Sequence, residues 1–394
     1  MILLLDIPLI VIGALLAVPA LILFVEILSS LAYRAGAAQA AGSRPRIAIL
    51  MPAHDEATGI RQSLQNLLPQ LLPGDRLVVV ADNCSDDTAS IAAVAGAEVI
   101  QRRDPTKRGK GFALDFGVRF LEQDPPEVVM IIDADCFFSK GSIDILARTC
   151  HARGRPIQGL YLNLSPEGAG TRTRIAQFAQ LVKNKVRPTG LLALGLPCPL
   201  MGTGMTFPWT CIRSAPLATG HIVEDVHMGM DLARQGILPL FCPDVLLNSY
   251  FPQTDEGLLG QRTRWEHGHL GLILTEAPML LLTGLRKGDV GTMALALDQM
   301  IPPLALFLML ALLNIILDGA FAVLSGRAMP LVFAAVTLSM AGLSVLLSWV
   351  RYGQQIISLS DLASAPVYAL RKVPIYIGFL LSRQLEWVRS KRDP

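Results

Sequence analysis

The triplet Asp133-Ala134-Asp135 ends an apolar run, Val128-Val129-Met130-Ile131-Ile132. A buried parallel strand that stops in two carboxylates delivers them to the carboxyl edge of an α/β sheet, where such sheets take up ligands. Two acids on one loop repel each other. A hard divalent cation between them and a phosphorylated ligand removes that cost, because Mg²⁺ and Mn²⁺ prefer oxygen donors and often complete their shell with phosphate. An acidic turn after a strand is also a common surface feature, so the triplet takes its meaning from what else reaches the same edge.

Two upstream strand ends carry polar loops that can join it, Met51-Pro52-Ala53-His54-Asp55-Glu56 and Ala81-Asp82-Asn83-Cys84-Ser85-Asp86-Asp87-Thr88. In the second, Ser85 suits the cap of the next helix, and Asp86 and Asp87 suit its positive end. Asp82 is not absorbed that way; its place at a strand end suits a hydrogen bond to a base or ribose. The cluster Lys107-Arg108-Gly109-Lys110-Gly111 precedes a helix. Glycines permit close backbone approach and a lysine at a helix amino end favours phosphate, with a solvated basic turn as the competing account. Neither a GxGxxG fingerprint nor a complete Walker A sequence is present, which speaks against a dehydrogenase or a P-loop NTPase.

The elements that must position these groups alternate. Periodicity predicts strands at 46–50, 77–80, 98–100 and 128–132, with helices at 60–71, 89–94 and 111–121. That is the pattern of a mostly parallel α/β sheet. The chain has 394 residues, 52% of them hydrophobic, and a formal net charge of +2. It is too apolar for an ordinary soluble enzyme, yet its charges gather in the middle, as for a soluble domain between membrane segments. The near-neutral balance argues against a nucleic-acid partner, which normally needs a dense basic face. Six cysteines show no CxxC pair or metal-ligand spacing, which fits thiols in a reducing compartment, and His267 and His269 lack a third metal ligand nearby.

From Ile7 to Leu28 the chain is almost continuously apolar, long enough to cross a bilayer, and Arg34, Arg44 and Arg46 follow it. Without a basic leader region or cleavage site it reads as an uncleaved anchor, with the next domain on the cytoplasmic side. Further apolar blocks run from Ala296 to Leu317 and from Leu331 to Val350, with Arg327 between them, as in a helical hairpin. Three crossings result. Leu270 to Leu285, holding Glu276 and Pro278, reads as one helix on the cytoplasmic leaflet. The stretch from Leu362 to Leu381, broken by Pro366, Arg371, Lys372 and Pro374, reads as interfacial, with a basic tail at Arg383, Arg389, Lys391 and Arg392.

Together the motifs Pro52-Ala53-His54-Asp55-Glu56, Asp82 to Thr88, Arg108-Gly109-Lys110-Gly111, Asp133-Ala134-Asp135, Val223-Glu224-Asp225 and Gln261-Arg262-Thr263-Arg264-Trp265 resemble membrane-bound family 2 glycosyltransferases of the GT-A fold, the group of cellulose synthase, hyaluronan synthase and bacterial exopolysaccharide enzymes. The resemblance implies an α/β fold, a GT-A Rossmann-like mostly parallel sheet with N-terminal and C-terminal transmembrane helices. Its parts would be an anchor at 1–35, a cytoplasmic catalytic domain at 44–265, interfacial helices at 266–290, a transmembrane hairpin at 291–352, and an interfacial segment with the tail at 353–394. The donor would be held by Pro52, His54, Glu56, Asp82, Lys110, Asp133 and Gln261, and Mg²⁺ or Mn²⁺ by Asp135 and Asp133. Asp225, beside Glu224, looks like the base for the acceptor hydroxyl, Arg264 like the group that stabilises the departing diphosphate, and Trp265 like a flat face for the acceptor. Val223 stands where threonine is common and Asp55 where asparagine is frequent; neither change removes an ionisable group.

The implied reaction is inverting transfer from a UDP-sugar to a membrane-associated acceptor, a lipid-linked saccharide or other glycan of exopolysaccharide or envelope synthesis, at a bacterial-type inner membrane. Polysaccharide-assembly proteins are the further partners it suggests. A processive synthase subunit, a ceramide-type lipid glucosyltransferase and an inactive nucleotide-sugar-sensing scaffold are the alternatives. Separately, Glu224 and Asp225 also suit the amino end of a helix, and Arg264 with Trp265 also suits an interfacial cation–π pair.

Overall fold

The computed structural model describes residues 2–34, 43–252 and 254–384. The basic positions Arg389, Lys391 and Arg392 lie outside them. In chain order the elements begin with α1 (Ile2–Ala32), β1 (Ile47–Ala53), α2 (Ile60–Leu67), β2 (Arg76–Asp82), α3 (Thr88–Val94), β3 (Glu98–Arg102), α4 (Lys110–Leu121), β4 (Val128–Ile131) and β5 (Phe137–Phe138). Then come α5 (Ser142–Arg153), β6 (Ile157–Leu164), α6 (Thr171–Leu181), α7 (Arg187–Ala193), β7 (Met205–Pro208), α8 (Trp209–Ile212), α9 (Glu224–Arg234) and β8 (Leu240–Tyr250). The last are α10 (Asp255–Leu274), α11 (Glu276–Lys287), α12 (Val290–Gln299), α13 (Leu304–Ser325), α14 (Met329–Ser348), α15 (Leu359–Ala363), α16 (Ala365–Leu370) and α17 (Val373–Leu381).

The chain divides into two compact units, one of residues 34–167, 197–268 and 384–394, the other of 1–33, 168–196 and 269–383. The first holds an eight-stranded sheet in the order β3-β2-β1-β4-β7-β6-β8-β5. β1, β2, β3 and β4 are mutually parallel, and β7 runs antiparallel to both β4 and β6. The half that carries the acidic loops is therefore the parallel half. Of its strands, β1, β2 and β4 are largely apolar without alternation because both faces are covered. Ile47, Ile49, Met51, Val79 and Met130 pack toward α2 and α5, whereas Ala48, Leu50, Val78, Val80 and Ile131 pack toward α4 and α9.

In the second unit, three helices are long and apolar enough to cross a membrane, at Asp6–Ala32, Leu304–Ser325 and Met329–Gly353. Asp6 pairs with Arg327 at 2.7 Å, and the Tyr352 hydroxyl donates to the Ser30 carbonyl at 2.9 Å. Bonds at both ends make α1 and α14 parallel neighbours. The excursion between β6 and β7, residues 168–196, groups with these helices although it interrupts the sheet in sequence. Its α7 lies on α1 at Gly190, where a Cβ would collide with the Glu26 carbonyl. Arg187 there bonds Glu26 at 2.9 Å and Asp298 at 2.7 Å, all three being buried.

Three local readings change. The stretch 270–285 is not one helix: α10 and α11 break at Thr275 with a bend of 41°. Pro278 explains the restart, since a proline fits the first turn of a helix, where its missing N–H leaves no bond unmade. The helix expected over 60–71 ends at Leu67 and closes as a 3₁₀ turn, Leu68–Gln70, around Pro69. Ser85 does not cap α3. Asp86 accepts from the Thr88 N–H at 3.0 Å, and Ser85 turns its own N–H to Asp55 at 2.6 Å.

Candidate active site

Because β2, β1 and β4 run parallel in tight register, their carboxyl ends bring 53–56, 82–88 and 132–136 to one edge. Two residues there adopt the left-handed backbone that favours glycine, Asp55 at φ 53° and Asn83 at φ 51°. Both are fixed by their side chains. Asp55 holds the Ser85 N–H, and the Asn83 carboxamide oxygen accepts from the Asp104 N–H at 2.8 Å, binding the end of β2 to the loop before α4.

Asp82 is buried beside an unforeseen partner, Arg102 at the end of β3, whose guanidinium donates to it at 2.6 Å. Burial pushes the Asp82 carboxyl up against the pull of Arg102. His54 Nδ1 meets the Asp82 carbonyl at 2.7 Å, so the two expected donor-binding residues share one corner. Pro52 is paired within β1, and Glu56 begins the α2 approach with its N–H on the Thr88 hydroxyl at 2.7 Å.

Lys110 is the first residue of α4, after Gly109 at φ 126°. Its ammonium is directed to the acids: 2.5 Å from Asp133, 2.5 Å from the Gly202 carbonyl and 3.8 Å from Glu224. Burial alone would weaken its hold on the proton, but Asp133 and Glu224 outweigh that and raise it above the ordinary lysine range. Glu224 opens α9, and burial pushes its carboxyl up to about 7, against the attraction of Lys110 and assisted by the charge of Asp225. One cation thus stands among three carboxylates.

The floor of this cluster is a turn absent from the sequence expectations, Met201-Gly202-Thr203-Gly204, which leads into β7. Gly202 and Gly204 both have positive φ, and a Cβ on Gly202 would lie 3.5 Å from an Asp225 oxygen. The turn is held by the buried Gln158, whose amide donates to the Thr203 carbonyl at 2.9 Å and accepts from the Met201 N–H at 2.8 Å. The Thr203 hydroxyl in turn accepts from the Asp133 N–H at 3.0 Å. Gln158 therefore sets the acidic loop through Thr203. Its only sequence signal was a Gly-Thr-Gly before a strand.

Asp133, Asp135 and Cys136 offer ligand atoms within 4.8 Å of one another. The fit to a hard divalent ion is good, since the carboxylates exceed the cations around the turn and supply oxygen donors. Cys136 belongs to the wall instead: burial holds its thiol far up, and it receives the Thr203 hydroxyl at 3.5 Å. A second group, Asp55, Cys84 and Asp86, is equally close, but its carboxylates hold the backbone N–H groups of Ser85, Ala57 and Thr88.

α10 carries Gln261, Arg264 and Trp265, each partly buried. One turn on, Gly268 lets the helix close on the segment before Glu224, for a Cβ there would lie 2.5 Å from a Val223 methyl. The helix thus meets Val223, the position that departs from the family pattern and precedes Glu224 in the chain. His221 and His227, which flank Glu224-Asp225 in the chain, stack on each other with ring centroids 3.9 Å apart.

A family model described as "Glycosyltransferase like family 2" matches residues 45–268, more than half of the chain. The chain belongs to that family. The "Probable glycosyltransferase YdaM" of Bacillus subtilis is 26% identical over 58% of this chain and 56% of its own length. An uncharacterized glycosyltransferase of Mycobacterium bovis is 33% identical over 29% of this chain and 51% of its own. The chain spans about half the length of these curated relatives. Among solved structures, a mannosyltransferase of Pyrobaculum calidifontis in complex with GDP-Man and Mn²⁺ has a TM-score of 0.54 at 16% identity, covering 95% of this chain and 100% of that one. That likeness is one of fold, a GT-A-like α/β sheet with apolar helices.

Proposed function

We propose that this family 2 glycosyltransferase moves one sugar from a UDP-sugar to a membrane-associated acceptor, a lipid-linked saccharide of exopolysaccharide or envelope synthesis, with inversion at the anomeric carbon. The observation that carries the reading is the convergence of Asp133, Asp135, Lys110, Glu224 and Asp225 on the Met201–Gly204 turn. Asp133 and Asp135 would hold Mg²⁺ or Mn²⁺, which supplies charge neutralisation to the diphosphate when bound. Asp82, set by Arg102, and His54 would take the nucleoside, with Pro52, Glu56 and Gln261 along the same wall. Asp225 would accept the acceptor hydroxyl's proton late in the displacement, while Lys110 keeps its own proton and offsets the surrounding acids. Arg264 would face the departing diphosphate and Trp265 the acceptor. Attack from the face opposite the leaving group turns an α-linked donor into a β-linked product.

Three apolar helices support a membrane-bound acceptor and a multi-pass chain whose sheet-bearing unit is cytoplasmic, because Arg34, Arg44 and Arg46 follow α1. The test is a purified full chain given a panel of UDP-sugars and GDP-mannose, with Mg²⁺ or Mn²⁺ and membrane lipid extract, and products weighed by mass spectrometry. Addition of a single hexose from a UDP donor is expected. Transfer from GDP-mannose alone would replace the donor, long polymer would replace single addition, and no transfer from any donor by folded protein would overturn the reading.

A further inference from the structure

Two stretches of π-helix meet in the unit that holds the apolar helices. Val182–Val186 lies between α6 and α7, and Trp349–Gly353 continues α14. A π turn carries one more residue than an α turn and recurs at functional sites. The second packs on α6, since a Cβ on Gly353 would lie 2.5 Å from the Phe178 ring. Each contributes one cation to the ring of Tyr352. The Lys185 ammonium is 5.5 Å from the centroid of Tyr352, and the Arg351 guanidinium 5.3 Å. The Tyr352 hydroxyl, bonded to Ser30, fixes the ring between α1 and α14.

Among the described residues neither cation has a carboxylate partner. Burial, then the like charge of Arg351, makes the Lys185 ammonium harder to keep protonated. Acids of the same unit are engaged elsewhere: Glu26 and Asp298 with Arg187, and Asp361 with Arg174. Two positive groups converging on one ring without an acid are stabilised by an anion supplied from outside the chain. Their level identifies it. Arg351 and Tyr352 end a 25-residue apolar helix, and Ser30 lies near the end of the 27-residue stretch in α1. In a bilayer that level is the headgroup layer, where tyrosines gather and basic residues meet anionic lipid.

We propose that Lys185, Arg351 and Tyr352 form a binding site for the phosphate of an anionic membrane lipid. The site requires α1 and α14 to lie in a bilayer and is independent of sugar transfer.

The experiment uses the detergent-solubilised full chain, with phosphatidylglycerol retained through native mass spectrometry as the readout, against phosphatidylcholine and inorganic phosphate. Wild type should retain phosphatidylglycerol in preference to phosphatidylcholine. Affinity should fall roughly fivefold for Lys185→Gln or Arg351→Gln and about thirtyfold for the pair. Lys185→Arg should restore it, and the exposed Lys140→Gln should leave it unchanged. Equal retention by wild type and a monodisperse, folded double variant would overturn the site. Equal retention of phosphatidylcholine, or displacement of the lipid by an equal concentration of inorganic phosphate, would overturn the assignment to an anionic lipid.

Discussion

Lys110 and Arg187 each stand among more acids than they can neutralise, yet the two clusters differ in kind. Around Arg187 the side chains are 2–8% exposed, the guanidinium is engaged by Glu26 and Asp298, and Asp298 takes a further bond from Gln299 at 2.6 Å. Around Lys110 the exposures rise to 16% for the lysine and 32% for Asp133, and a turn with two left-handed glycines leaves room beside Asp225. Surplus charge in a sealed site is a structural joint. The same surplus beside an open turn is what the proposed cation and diphosphate would offset.

The largest expected effect falls on the open cluster. Asp225→Asn should lower sugar transfer by about 10² to 10⁴, the range of a positioned general base, while thermal unfolding stays as in the wild type. Equal transfer by both proteins removes Asp225 from the reaction. The sealed cluster should respond in the opposite way. Arg187→Met leaves two carboxylates buried without their cation and should cost about 3–5 kcal/mol, read as loss of unfolding stability in detergent. Adding Glu26→Gln and Asp298→Asn should recover most of it. A single variant as stable as wild type would dissolve the distinction between the clusters.

The smallest effect is a matter of pH. Glu224 binds its proton more tightly folded, at about 7, than unfolded, near 4.5, so the folded state holds more protons between those values. Stability from this group is therefore fully present below about pH 4.5 and declines as pH rises to about 7. In metal-free protein Glu224→Gln should remove that decline, about 1–2 kcal/mol after allowance for solvent screening, seen by comparing melting temperatures at about pH 5 and about pH 8. Parallel pH profiles for the two proteins would show that Glu224 does not feel its burial.

What was legible in the sequence was what depends on neighbours in the chain. The acidic ends of β1, β2 and β4, the helix opening at Glu224 and the three apolar helices all follow from periodicity and local chemistry. Arg102, Gln158 and Thr203 were not legible, because their importance comes from pairing with Asp82, Met201 and Asp133 across the sheet. From its helix end Lys110 suits either phosphate or a solvated turn, and its contacts with the acids that follow β4 and open α9 have no local sign. The 168–196 excursion was hidden for the same reason. Nothing in its own composition says that Arg187 belongs with Glu26 and Asp298.

The pairing of α1 with α14 has a topographic consequence. With Asp6 tied to Arg327 and Ser30 to Tyr352, a bilayer crossed by both helices would have the start of α1 and the tip of the α13–α14 hairpin on one face. Ser30 and Tyr352 would then share the other, so a single reporter at Gly326 would fix the sidedness of both.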